Sequence, residues 1–596
     1  MQLKFNRRNQ QNSRMSSGMR RAAAVLLVLA LPTACASDQV AETAPPSEPA
    51  VLSPGQTLWG NYIAGRHAQA IRDDVGAALF LDAALEQAPN NPRLLNRAFV
   101  YNLAEGHMEK AVGLARRLIK IDEKSSIANY TLAVEEIKLG HYKEAEARLS
   151  SLQGKNLDSF IVPLLKAWAY AGLKDRDKAL AALKPVSAKI GEGAIFKIQV
   201  ALVNEVFGAT KEAEAAFKEA TKNMRRVSFR MVELFGSFLE RNGKTEDAKK
   251  FYQNFMKARP RNNLVANLLK RLDTGKKPIA NVPDPAAGAS ESLFNLAGLL
   301  QNQRVIESAL IFSRLSLHLR PNFPVLQIQI ANILERMRRY EKANGIYAEI
   351  NPKSQFAWSV QMQMASNLDR LDKTDDAVKQ LRKMTTLRPS DPAPSIALGD
   401  ILRSRERHVE AIVAYDQALV KVKTPENRHW SLFYARGISL EQSKQWPRAE
   451  GDFLKALELN AEQPLVLNYL GYSWVDRGQN LERAQKMIVK AVELRPSDGY
   501  IADSLGWVYY KVGKYERAVK ELDRAVELLP ADPIINDHLG DAFWRVGRYR
   551  EAKFQWQRVL GLNPKPELEV QIKNKLKVGL KDAAQAKAKA KAANGG

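Results

Sequence analysis

Three stretches near the C-terminus decide the fold: Asn468–Gly478 (NYLGYSWVDRG), Asp503–Val519 (DSLGWVYYKVGKYERAV) and Asn536–Ala552 (NDHLGDAFWRVGRYREA). Each places a Leu-Gly pair at the same register: Leu470-Gly471, Leu505-Gly506 and Leu539-Gly540. An aromatic follows each glycine by three residues, at Trp474, Tyr509 and Phe543. Gly478, Gly513 and Gly547 then mark a turn, and Pro496, Pro530 and Pro564 close the second half of each unit. A glycine within a helix costs about 1 kcal/mol relative to alanine, so its recurrence argues that a second helix approaches closely there. Gly513 suits the left-handed position that ends a helix, and Pro530 cannot continue one.

Working outward, the alanine that opens each second helix recurs along the chain. It stands at Ala77, Ala111, Ala145, Ala179, Ala213 and Ala248, then at Ala309, Ala343, Ala377, Ala411, Ala449, Ala484, Ala518 and Ala552. Most intervals are 34 residues. A fixed period of this length is the mark of stacked helix–turn–helix units, each too small to bury a core alone. Length alone would suggest about four ordinary domains; the repeat replaces that reading with one or two solenoids. The pattern resembles the tetratricopeptide repeat (TPR). That resemblance covers most of residues 56–564 and implies an all-α superhelix of about 14 repeats in two blocks, 56–272 and 291–564. Between them, residues 273–290 carry Pro278, Pro283, Pro285, Gly275 and Gly288 and read as a linker or elbow. An insertion within one continuous superhelix is the alternative.

The ends differ from the body. Arg20 and Arg21 precede a short apolar run, Ala22–Leu31, which is a secretory signal peptide in form, with residues 1–34 as the leader. Cys35 is the single cysteine of the chain and stands where the signal ends. The segment resembles a bacterial lipoprotein signal, which implies lipidation of Cys35 and, with Ala36 following, an outer membrane facing the periplasm. Ordinary cleavage after Ala34-Cys35-Ala36, leaving a soluble periplasmic protein, is the other reading. Residues 35–55, rich in Ala, Pro, Ser and Glu, form a tether. At the far end, residues 565–596 read as a capping helix and a cationic Lys/Ala tail.

The 596 residues carry a net charge of +25, with 45% hydrophobic and 26% charged residues, an ordinary water-soluble composition. No H-E-x-x-H, G-x-S-x-G or Walker A pattern occurs, and the seven histidines show no ligand spacing. Gly243-Lys244-Thr245 falls at a repeat turn. No catalytic residue, metal site or cofactor is expected, and the chain reads as a non-enzyme.

Binding is expected in the groove. Within each first helix a second stripe, offset from the core stripe, would line the concave side in tetratricopeptide proteins. At the C-terminal end it comprises Tyr434, Asn468, Tyr472, Tyr500, Asp503, Trp507, Tyr510, Asp537, Asp541 and Trp544. Tyr and Trp dominate interface hot spots, and Asn or Asp at one register could hold a peptide backbone. The alternative is that these groups pack between repeats. The carboxylates would repel phosphate, so nucleic acid is not expected there. In the first block the same register gives a more apolar stripe: Tyr130, Leu164, Trp168, Ile198 and Leu202. It is either a partner surface or a sign of a different register. The whole resembles long bacterial tetratricopeptide outer-membrane lipoproteins. These include the lipoprotein adaptor of a periplasmic carboxyl-terminal processing protease, which presents cell-wall hydrolases to it. The resemblance implies a protein-binding scaffold whose partners are a processing protease and cell-wall hydrolases, with the membrane held through the N-terminal lipid. An assembly factor for exopolysaccharide secretion or pilus biogenesis is the alternative.

Overall fold

The computed structural model describes residues 53–580 apart from 72, 153–156, 190–193, 223–226 and 261. The signal, Cys35, most of the tether and the Lys/Ala tail lie outside the described residues. The body, from Gln56 on, is one compact unit. Thirty α-helices and a short 3-10 turn at Asn427–His429 make up its regular structure among the described residues. They alternate as six antiparallel pairs, α1–α12, then a lone helix, α13 (Asn263–Asp273), then eight pairs, α14–α29, and a final α30 (Pro566–Val578). The fold is an all-α solenoid of tetratricopeptide type.

One repeat shows why the sequence folds this way. Asp498 caps α26 (Gly499–Lys511), its carboxylate accepting from the Tyr500 and Ile501 amides at 3.2 and 3.3 Å. Gly513, at φ +78°, turns the chain into α27 (Tyr515–Leu528). Gly506 meets that helix: a Cβ there would stand 2.5 Å from Leu522. Ala518, Leu522 and Ala525 form the buried face in return. The same logic holds throughout, since all fourteen marker alanines, Ala77 to Ala552, are fully buried. Successive repeats are also stitched by arginines. Arg117, Arg524 and Arg558, each on a second helix, donate to the carbonyls of Pro89, Pro496 and Pro530, which end the preceding one.

Two features go beyond the sequence reading. The 273–290 stretch is not an elbow along its length, because α14 (Pro285–Asn302) begins at Pro285. Asp284 caps it, accepting from the Ala287 amide at 2.8 Å, and Pro285 takes the first-turn position that proline tolerates. The second feature is a contact between the two blocks, on which the sequence reading took no position. Helix α14 lies against α7 (Asp158–Gly172) and α9 (Ala194–Val206), and α15 (Ile306–Leu319) lies against α3 (Pro92–Glu105) and α5 (Ser126–Lys138). The first block therefore wraps the opening repeat of the second. Gly288 permits this contact, since a Cβ there would stand 2.3 Å from the Trp168 ring. Trp168 Nε1 donates to Gln199 at 3.0 Å and to Ser292 at 2.8 Å. Tyr130 packs on Phe312 with ring centroids 6.1 Å apart. The apolar stripe of the first block is thus buried by this chain itself: Tyr130, Leu164, Trp168, Ile198 and Leu202 are all 3% exposed or less.

Ion pairs fix the junction. Arg230, on α11 (Phe229–Arg241), pairs with Glu291 of α14 at 2.6 Å, and both are buried. Arg339, at the start of α17 (Tyr340–Ala348), reaches Asp74 at 2.8 Å and also Glu105. Lys342 joins the same Glu105, and His318 meets Glu135 at 2.6 Å.

Candidate protein-binding groove

Four first helices present the C-terminal stripe: α22 (Trp430–Gln442), α24 (Pro464–Asp476), α26 and α28 (Pro533–Arg545). Side chains three and four apart share one helical face, so the stripe continues from repeat to repeat. The structure divides it into three zones.

The first zone is open. Asn468, Tyr472, Tyr500 and Asp503 line a cavity of about 300 Å³ between α22, α24 and α26. Glu441, Tyr469, Asp476 and Arg477 complete it; Tyr469, Asp476 and Arg477 lie off the stripe and were not anticipated. Tyr500 projects into solvent at 60% exposure. Burial, reinforced by the charge of Asp503, pushes the Tyr472 hydroxyl up to about 12. Burial and Glu441 do the same for Tyr469. Both are therefore neutral donors at physiological pH. Arg477 lies 3.3 Å from Glu441, and Lys511 lies 3.6 Å from Asp476. The Oδ1 atom of Asn468 is buried and accepts no hydrogen bond among the described residues. A buried acceptor left unmade costs about 1–3 kcal/mol.

The second zone is packed. Tyr434 sits among Trp430, Phe453 and Tyr469, with centroids 6.1, 6.1 and 5.9 Å away. Trp507 is sandwiched between Tyr510 at 4.7 Å and His538 at 3.9 Å, both nearly parallel to it. His538 Nδ1 lies 2.9 Å from Asp503. Burial disfavours its charged ring, but the carboxylates of Asp503, Asp537 and Asp541 outweigh that and raise its pKa. Of these contacts, Tyr434–Tyr469 and Trp507–His538 join successive repeats, while Tyr510 stacks on Trp507 within α26.

The third zone is already occupied. Lys575 of α30 donates to Asp537 at 2.6 Å and to Asp541 at 2.7 and 2.8 Å. Trp556 Nε1 donates to Asp541 at 3.0 Å. Burial and neighbouring Asp537 carry the Asp541 carboxyl up to about 6, against the pull of Lys575. Trp544 is closed in by Tyr549 at 4.6 Å and Trp556 at 5.3 Å, and Gly579 lies against its ring, where a Cβ would stand 2.0 Å away. Asp537, Asp541 and Trp544 are accordingly not open groove residues: α30 covers them. Lys575 is the occupant that the stripe alone could not reveal.

Family profiles described as tetratricopeptide or TPR repeat match residues 362–427 and 506–547. A TPR repeat-containing protein of Pseudomonas aeruginosa is 27% identical over 187 residues, 31% of either chain, so the match spans about a third of that relative's length. Among solved structures, the APC/C hetero-tetramer Cut9–Hcn1 is similar at 15% identity and a TM-score of 0.37, over 88% of this chain and 97% of that one. MamA from Desulfovibrio magneticus RS-1 is similar at 20% identity and a TM-score of 0.26, over 29% of this chain and 94% of that one.

Proposed function

We propose that this tetratricopeptide-repeat protein is a non-enzymatic scaffold that holds an extended segment of a partner protein in the cavity across α22, α24 and α26. The single observation that carries this reading is the open cavity itself, lined by Glu441 of α22, Asn468 and Tyr472 of α24 and Tyr500 of α26. Tyr469 and Tyr472 would supply hydroxyl donors and ring faces, and exposed Tyr500 an anchor. Glu441, Asp476 and Asp503 of the lining are paired with Arg477, Lys511 and His538, so the cavity offers a polar, largely charge-balanced lining.

The finer part of the reading rests on the leader sequence. Cys35 would be lipidated, holding the scaffold at the outer membrane with the solenoid in the periplasm. The partners there would be a processing protease and the cell-wall hydrolases it acts on. An acylated cysteine bearing several chains anchors stably, where one chain does not.

The test is crosslinked affinity purification from intact cells. It compares the full-length protein with an Asn468→Ala, Tyr472→Ala variant. The expected outcome is recovery of a processing protease or wall hydrolase from the parent and at least a tenfold loss from the variant. Recovery of an export channel or pilus component would replace the adaptor reading with the assembly reading. An unchanged partner set would show that this cavity does not bind.

A further inference from the structure

A second cleft lies away from that groove, where the repeat series is broken. Helix α13 follows α12 (Thr245–Ala258) and packs on α11 and α12, as the first helix of a repeat does. Its second helix is missing. The place of the marker alanine, 34 residues after Ala248, is Val282, in the non-helical run between Asp273 and Pro285. That run is drawn off along α11, with Arg230 donating to Asn281 at 3.1 Å and Arg241 to the Ile279 carbonyl at 3.2 Å.

The face of α13 that a second helix would cover is therefore only partly covered: Ala266 and Leu269 are half-buried and Lys270 is exposed. In α11 the contact residue is Gly236, whose Cβ would stand 2.1 Å from Tyr252 of α12. The position 34 residues on is Lys270, which is exposed. Lys270 lines a cleft of about 1090 Å³ bounded by α13, α18 (Ala357–Arg370) and α19 (Thr374–Leu387). Apolar groups reach into it from both sides, Leu264 from α13 and Leu387 from α19, the latter 63% exposed.

Its charge is one-sided. Lys270, Lys353, Lys383 and Arg388 line the cleft, and no ion pair engages any of them among the described residues. Asp391 is the sole acid of the lining, and it is engaged by Trp358 Nε1 at 2.8 Å and the Ala393 amide at 2.9 Å. Arg388 lies over Trp358, 4.0 Å from its ring centre.

We propose that this cleft receives an acidic amphipathic helix of a partner protein, which takes the place of the missing second helix of the α13 repeat. The apolar face would lie between Leu264 and Leu387, and the acidic flanks would meet the four cations. Helix-in-groove recognition uses such anchors at i, i+3, i+4 and i+7. Charge complementarity would mainly speed encounter and reject basic competitors.

The test places a photocrosslinking amino acid at position 387 of the full-length protein in its own cells. The crosslinked peptide is then sequenced by mass spectrometry. A second chain carries Lys270→Glu and Lys383→Glu as well, and its thermal unfolding is compared with the parent, because both lysines are exposed and their reversal should leave folding intact. A third carries Tyr472→Ala, which separates this site from the proposed groove. The expected result is one crosslinked segment, rich in Asp and Glu, with apolar residues at helical spacing. Its yield should fall at least tenfold in the charge-reversed chain and stay unchanged in the Tyr472→Ala chain. No crosslink, a crosslink to another copy of this chain, a basic segment, or a yield indifferent to charge reversal would each overturn the proposal.

Discussion

Asn468 and Asp503 occupy the same register of successive helices and meet different fates. Asn468 lines the open cavity with its Oδ1 buried and unpaired, while Asp503 spends its charge on His538. The difference lies in what the next repeat offers, a residue 35 positions away. The pairing has a titration signature. The pKa of His538 is raised in the folded protein above its ordinary value of 6.5. A raised histidine stabilises the fold fully below the unfolded pKa and loses that contribution as pH rises through the folded one. The parent should therefore lose stability between pH 6.5 and the raised value relative to a His538→Asn variant. Urea unfolding of both across pH 6–9 checks this; parallel curves would refute it. The turns carry a related lesson. Gly106, Gly140, Gly208, Gly243, Gly478, Gly513 and Gly547 take positive φ, and their glycines were readable in the sequence. Lys174, Arg304, Arg338, Asp372, Glu406 and Lys444 take it at φ of 58–64° without a glycine to announce it. That conformation costs an ordinary residue about 1–2 kcal/mol, borne here by the packing of the two helices it joins.

At the scale of elements, α30 shows how an end is managed. A terminal repeat has an uncovered face, and solenoids need a cap with a polar outer side. Helix α30 buries Ile572 and brings Lys575 between Asp537 and Asp541, while its outer side is mostly polar apart from Val570 and Val578. Removing one partner of a buried ion pair typically costs about 3–5 kcal/mol. Lys575→Ala should cost this much in the last repeat, read by hydrogen exchange of α28 and α29 (Tyr549–Leu560), and leave distant α22 protected. An equal loss of protection at α22 would mean that the C-terminal repeats unfold as one. One capping helix was expected after Pro564. Its docking against Asp537 and Asp541 was not legible, because those carboxylates read equally well as ligands for a partner.

The whole molecule departs from a simple solenoid. Stability of a repeat array is close to a sum of nearest-neighbour terms. Here α14 and α15 touch α3, α5, α7 and α9, none of them a sequence neighbour. The first block and the opening of the second should therefore unfold cooperatively. Glu291→Ala leaves buried Arg230 with Glu233 as its remaining carboxylate partner. It should cost about 3–5 kcal/mol. Protection should fall together in α7, α11 and α14, measured by native-state hydrogen exchange. A loss confined to α14 would show that the wrapping adds no cooperativity.

The sequence by itself determined the repeat: the fourteen helix pairs, the glycine-marked turns and the alanine that each second helix buries against the first. Those features rest on contacts within one period or between adjacent ones, where periodicity and local backbone preference act directly. Only the tertiary structure decided which surfaces remain free. Trp168 meets Ser292 across 124 residues, and Asp74 meets Arg339 across 265. An apolar stripe looks the same in a sequence whether this chain or another covers it. Hydrophobic burial is non-directional and names no partner. The wrapped first block, the capped end, the open cavity at Asn468 and the partly covered face of α13 all follow from where distant parts of one chain come to rest.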